Sequence, residues 1–147
     1  MQEAIKEARK AYKEGEVPVG AVLVFNGRVI ARGHNQVELL KDATAHAEML
    51  CIGSGAVSLN NWRLLDTTLY CTIEPCMMCA GALFLARIGR LVWGAEDLRH
   101  GANGSLCDVF TLQHPTHKIQ VTSNILHDEC RALMQEFFRE RRNQKLD

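Results

Sequence analysis

Apolar residues in the first sixteen positions recur at helical spacing. Ala4, Ile5, Ala8, Ala11 and Tyr12 fall on one side of a helix predicted over residues 1–16. A valine-rich run, 17–25, and a second β-prone run, 28–34, flank Asn26-Gly27, the strongest short-range signal for a hairpin. Thr44 is placed to cap a helix through Ala45, His46, Ala47, Glu48 and on to Cys51, with Gly53 and Gly55 loosening its end. Asn60-Asn61 marks a turn, and 67–74 has the Thr, Leu, Tyr and Ile content of a strand. Pro75 suits the first position of a helix that carries Cys76, Cys79 and 80–86. A buried strand at 90–93, a glycine-punctuated loop at 94–104 and a short strand at 119–122 follow. The last helix is predicted from about 125 to 142, with Leu126, Cys130, Leu133, Met134, Phe137 and Phe138 on its apolar side.

Strands alternating with helices predict an α/β fold, a sheet covered on both faces. With no repeat, linker or low-complexity segment, residues 1–147 are expected to form a single domain, and 47% hydrophobic content is enough for a core. Every apolar run is interrupted well short of a membrane span, and the first helix is too charged for a secretory signal peptide. The expected setting is therefore cytoplasmic, with no membrane partner. In such a setting the six cysteines favour metal over disulfides, above all the pair spaced as Cys76-Met77-Met78-Cys79.

Zinc accepts imidazole nitrogen and thiolate sulfur, and a catalytic site offers three protein ligands plus one open position. His46, Cys76 and Cys79 supply that number. Two helix N-termini aimed at the metal would help keep both sulfurs as thiolates. Zinc lowers the pKa of bound water toward about 7, making hydroxide available at neutral pH. Glu48, two residues beyond His46, is placed to take its proton and pass it on. A closed structural site is the alternative and needs a fourth ligand. Cys51 and Cys71 are the candidates, but both read as buried, inert thiols. His34, His100, His114, His117 and His127 have no metal spacing. Together, His-x-Glu and Pro-Cys-x-x-Cys form a signature recognised, rather than deduced, as that of zinc deaminases acting on nucleobases.

The 17 basic and 17 acidic residues cancel, so bulk charge does not argue for nucleic acid. Their distribution says more: residues 131–147 hold five basic and three acidic side chains, with Arg139, Arg141, Arg142 and Lys145 close together. A solvated helix face is the plain reading. An aromatic beside arginines also suits a splayed base and its phosphates.

Longer stretches carry a closer resemblance. The run from Glu16 to Val24, Asp42-Ala43-Thr44-Ala45-His46-Ala47-Glu48, Thr68-Leu69-Tyr70 and the run from Glu74 to Ala82 resemble the bacterial-type tRNA-specific adenosine deaminases. So do the run from Gly101 to Ser105 and Phe137-Phe138-Arg139. These enzymes belong to the cytidine and deoxycytidylate deaminase superfamily. The resemblance implies a three-layer α/β/α fold around a central, mostly parallel five-stranded sheet. It also implies a homodimer, one zinc ion per subunit, and conversion of adenosine to inosine at the wobble position of a tRNA anticodon, typically of an arginine tRNA. Zinc hydroxide would attack C6 of adenine, with Glu48 as proton shuttle.

By the same resemblance, Asn35 would bond the target nucleoside and the backbone of Ala47 would read the base edge. Asp97 and Arg99 would face the anticodon loop, and Phe138, Arg141 and Arg142 the RNA. From the residues alone, Asn35 also reads as a turn former, Asp97 and Arg99 as loop charges, and one of Phe137 and Phe138 as a core anchor. The chain begins inside the family's usual first helix. It also departs from the pattern at Cys71, where valine is typical, at Ala43 for proline and at Asn124 for glycine. Asn124 is expected in the left-handed conformation. Two rival functions remain open from sequence: a free-base deaminase acting on guanine or cytosine, and a zinc-stabilised RNA-binding module without activity.

Overall fold

Asn26 and Gly27 reverse the chain with φ of 49° and 74°, both left-handed, as a tight hairpin turn requires. The strands they join are β1 (Gly20–Phe25) and β2 (Arg28–His34), paired antiparallel with a bulge between Leu23 and Val24. The computed structural model describes residues 1–145; Leu146 and Asp147 lie outside the described residues. Around the hairpin are α1 (Gln2–Lys13), a four-residue α2 (Val37–Leu40), α3 (Ala47–Leu59), β3 (Thr68–Ile73), α4 (Met77–Leu85), β4 (Arg90–Ala95), β5 (Gln120–Thr122) and α5 (His127–Gln144).

The five strands lie in the order β2-β1-β3-β4-β5. β3, β4 and β5 run parallel, as expected, while β1 is antiparallel to both β2 and β3, so the sheet is mixed. Helices cover both faces. On one, Cys51 and Ala47 of α3 and Leu83 and Phe84 of α4 pack with Leu23, Leu69, Cys71, Leu91 and Trp93 of the sheet. On the other, Ile5 of α1 and Cys130 of α5 pack with Ile73 and Ala95. At Gly20 the backbone of α1 comes so near that a Cβ would sit 2.1 Å from the Ala4 carbonyl oxygen.

Four local expectations change. The third helix starts at Ala47 with His46 as its N-cap. Thr44 instead turns back on Asp42, its N–H and hydroxyl both donating to Oδ1 at 2.8 and 2.7 Å. Gly55 does not loosen the helix, which runs on to Leu59; it lets the helix press on Leu23, whose Cδ2 would lie 2.4 Å from a Cβ there. Termination falls to Asn60, left-handed at φ 49°. Pro75 precedes the N-cap Cys76 and so lies outside its helix. The unforeseen α2 is held by Glu16, a buried carboxylate that accepts the N–H groups of Glu38 and Leu39 at 3.1 and 2.7 Å. Asn124 does adopt the left-handed conformation, at φ 61°. Among the described residues no helix is long and apolar enough to cross a membrane.

Candidate active site

Packing α3 and α4 on one face of the sheet brings their N-termini together. His46 caps α3 and Cys76 caps α4, both in extended backbone, and Cys79 lies in the first turn of α4. His46 Nδ1 is 3.6 Å from Cys76 Sγ and 3.5 Å from Cys79 Sγ. All three donor atoms lie within 4.8 Å of one another. Tetrahedral bonds of about 2.3 Å to sulfur and about 2.0–2.1 Å to nitrogen set two such donors about 3.6 Å apart. The residues therefore fit a zinc ion with three protein ligands. Neither Cys51 nor Cys71 joins the cluster, so among the described residues no fourth protein ligand closes it.

The sulfurs are unequal. A hydrogen bond from Cys79, with a second contribution from His46, holds the Cys76 thiol down to about 3. The same bond and burial push Cys79 up. Two adjacent thiolates repel, so without a cation the pair keeps one proton; a dication favours loss of both.

Glu48, the second residue of α3, is 4% exposed, and burial raises its carboxyl above the ordinary range. Such a group holds and releases protons nearer neutrality than a surface glutamate does. The Cys71 thiol donates toward its Oε1 at 3.2 Å. Cys51 and Cys71 are fully buried, and burial pushes Cys51 up to about 12 and Cys71 well above its usual value, consistent with inert thiols.

Asn35 and Ala47 lie at the same place. Asn35 is 7% exposed and its N–H donates to Val19 O, while among the described residues its side-chain amide makes no protein hydrogen bond and stays open to solvent, Tyr12 Oη being the one sealed side-chain polar atom without a partner. The next residue, Gln36, donates to Ala45 O beside His46 at 3.0 Å. Ala47 opens α3, where first-turn N–H groups have no helical acceptor.

Asp97 and Arg99 sit on the loop after β4. The Asp97 carboxylate is occupied within the loop, accepting the N–H groups of Arg99 and His100 at 3.1 and 3.2 Å, whereas the Arg99 side chain is exposed. Of the C-terminal trio, Phe138 is 43% exposed and, with Arg141, Arg142 and Lys145, lines a surface hollow of about 300 Å³. Arg141 is tied inward, stacked over Phe137 at 5.1 Å and bonded to the Gly15 carbonyl. That bond brings the end of α5 to the side of the molecule where Glu16 grips the segment after Asn35.

Two buried carboxylates escape a reading of the sequence. Glu16 and Glu74 are each 2% exposed; Glu16 gathers N–H groups from α2 and Glu74 from the loop after β4. Only the charge of Glu74, set between Ile73 and Pro75, interrupts apolar chain and so hinted at its role.

Residues 1–95 match the cytidine and deoxycytidylate deaminase zinc-binding region, and the chain belongs to this family of zinc-binding deaminases. Within it, the chain groups with the tRNA-specific adenosine deaminases. It is 48% identical over 145 residues to the tRNA-specific adenosine deaminase of Bacillus subtilis, covering 99% of this chain and 90% of that one. It is 49% identical over 154 residues to the chloroplastic tRNA(adenine(34)) deaminase of Arabidopsis thaliana, where 94% of this chain spans only 12% of the relative's length. A solved structure from a study of A-to-I editing by tRNA:A34 deaminases superimposes with a TM-score of 0.87 at 44% identity, covering 90% of this chain and 96% of that one.

Proposed function

We propose that the protein hydrolyses the exocyclic amine of adenosine at the wobble position of a tRNA anticodon, typically of an arginine tRNA, giving inosine and ammonia. The observation that carries this reading is the donor cluster of His46, Cys76 and Cys79 with the buried Glu48 two residues from His46, in a chain so like the tRNA-specific adenosine deaminases.

His46, Cys76 and Cys79 hold one zinc ion per subunit. Zinc, when bound, supplies activation of water for attack on the carbon that bears the amine. Glu48 takes the water's proton, gives it to the ring nitrogen, and carries the second proton to the departing amine, so water is consumed and ammonia leaves. The Asn35 amide, free of protein partners and open to solvent, bonds the nucleoside, and the Ala47 N–H reads the base edge. Asp97 shapes its loop and Arg99 reaches the RNA backbone. Phe138 offers an aromatic face to a splayed base, with Arg142 beside it for phosphate and Arg141 bracing the helix end.

The unit of function is a homodimer working where tRNA is found in the cytoplasm. Met77 and Leu85 of α4, with Leu106 and Leu112 of the loop beyond β4, are more than half exposed and supply an apolar surface for a second copy. Light scattering at micromolar concentration is expected to give twice the chain mass.

The test is incubation with an anticodon stem-loop carrying a wobble adenosine, read as A-to-G conversion on sequencing. Inosine at that position is the expected product. Absence of inosine together with turnover of free guanine or cytosine overturns the assignment.

A further inference from the structure

Glu74 ends β3's buried run and is 2% exposed, yet it takes no part in the donor cluster. A buried carboxylate is costly unless hydrogen bonds replace its water. Four do, all from one loop. Oε1 accepts the Ser105 hydroxyl at 2.5 Å and the Asp97 N–H at 3.3 Å. Oε2 accepts the N–H groups of Asn103 at 2.8 Å and Ser105 at 3.2 Å. The loop at 97–105 is thus wrapped around a single side chain. The wrap is close, since a Cβ at Gly101 would lie 2.3 Å from the carboxylate. The same loop is fastened to the metal-binding helix: Ala102 N–H donates to Pro75 O at 2.8 Å, and Gly101 forms a β-bridge with Cys76.

We propose that Glu74 is a positioning residue for the substrate. It touches neither metal nor RNA, and it holds the loop at 97–105 as a preformed rim that receives the nucleotides flanking the target base. This rests on the RNA reading given above. A free base ends at the pocket and gains nothing from an ordered rim. A base splayed out of a strand must have its neighbours held as well. A rim that is ordered beforehand spares the RNA the entropic cost of ordering it, so its loss falls on binding and not on the chemical step.

Glu74→Gln keeps the size of the side chain but turns one acceptor into an amide that faces N–H donors. In the zinc-loaded full-length protein, the amides of Asp97, Asn103 and Ser105 are expected to exchange with solvent about tenfold faster or more, with zinc content unchanged. On the wobble-adenosine stem-loop, KM is expected to rise about tenfold while kcat stays within about threefold. Ser105→Ala removes only the hydroxyl donor. It is expected to raise KM about threefold, and it serves as the measure if the Glu74→Gln variant does not fold.

Wild-type exchange rates in Glu74→Gln overturn the clamp. Faster exchange with unchanged KM overturns the positioning role, as does a loss confined to kcat or accompanied by loss of zinc. A wild-type protein inert on the stem-loop overturns the RNA reading itself and the substrate role with it. The exchange measurement still reports separately whether Glu74 orders the loop.

Discussion

The thiol of Cys71 sits 3.2 Å from Oε1 of Glu48 and 2.8 Å from the carbonyl oxygen of Ile73. A central strand thereby touches the proposed proton carrier through a weak donor that burial keeps protonated.

Because a thiol is a weak donor, Cys71→Val is expected to change kcat by no more than about threefold, while the extra methyl-sized volume at this fully buried position costs about 1–3 kcal/mol of stability. Glu48→Gln, which cannot carry a proton, is expected to keep zinc and fold while losing about 10²–10⁴-fold in turnover. Steady-state kinetics on the stem-loop, with metal analysis of each variant, checks both. Normal deamination by Glu48→Gln would falsify the assignment of this residue.

Metal removal leaves the two cysteines sharing one proton, with Cys76 as thiolate and Cys79 as thiol. Zinc binding to the stripped protein near pH 7 is therefore expected to release about one proton from the thiol pair and a further fraction from His46, whose pKa the Cys76 contact raises. Calorimetry in buffers of different ionisation enthalpy measures that number. Release of more than about two would mean that Cys76 also begins as a thiol. Chelation is also expected to lower the melting temperature, because the ion ties α3 to α4.

His127 lies between Asp128 Oδ1 at 2.9 Å and Glu96 Oε2 at 2.5 Å, and both contacts raise its pKa. A raised folded value means that its stabilisation is complete below the unfolded value of about 6.5 and fades as pH rises through the folded one. Glu96 is held down, by its own backbone N–H first and then by His127, so its share fades as pH falls through its folded value. Melting curves of His127→Gln against wild type are expected to differ most near pH 6 and to converge toward both acid and alkaline extremes. A gap that does not change with pH would assign His127 a packing role only.

RNA binding should depend on salt through the exposed cations of the α5 hollow. Removing Arg142 or Lys145 is expected to lower the slope of log affinity against log salt by about 0.7 each. Arg141→Ala acts differently, since its guanidinium is bonded to Gly15. It should lower stability as well as affinity, a difference that denaturation and filter binding together resolve.

The sequence was most informative where the chemistry is local. Asn26-Gly27 pointed to the hairpin, and His46-x-Glu48 and Cys76-x-x-Cys79 each to one half of the candidate site, because a turn type and a short motif are set by residues a few positions apart; that the donors of the two halves meet follows from the packing of α3 and α4. Contacts between distant segments were illegible. α2 exists because Glu16 caps it from 22 residues away, and Gly55 is a packing glycine only because Leu23 lies beneath it. Glu74 looks like one more acidic residue until a loop beginning 23 positions later closes on it.

His46 and Glu48 share the first turns of one helix, whereas Cys76 and Cys79 belong to another. Any small rocking of α3 against α4 then changes the distances between imidazole and sulfur while the imidazole and the carboxylate travel as one piece. The alignment of the proton carrier with the histidine is insulated from the breathing of the sheet. Heat or denaturant should accordingly loosen the grip on the metal before it disturbs that pairing.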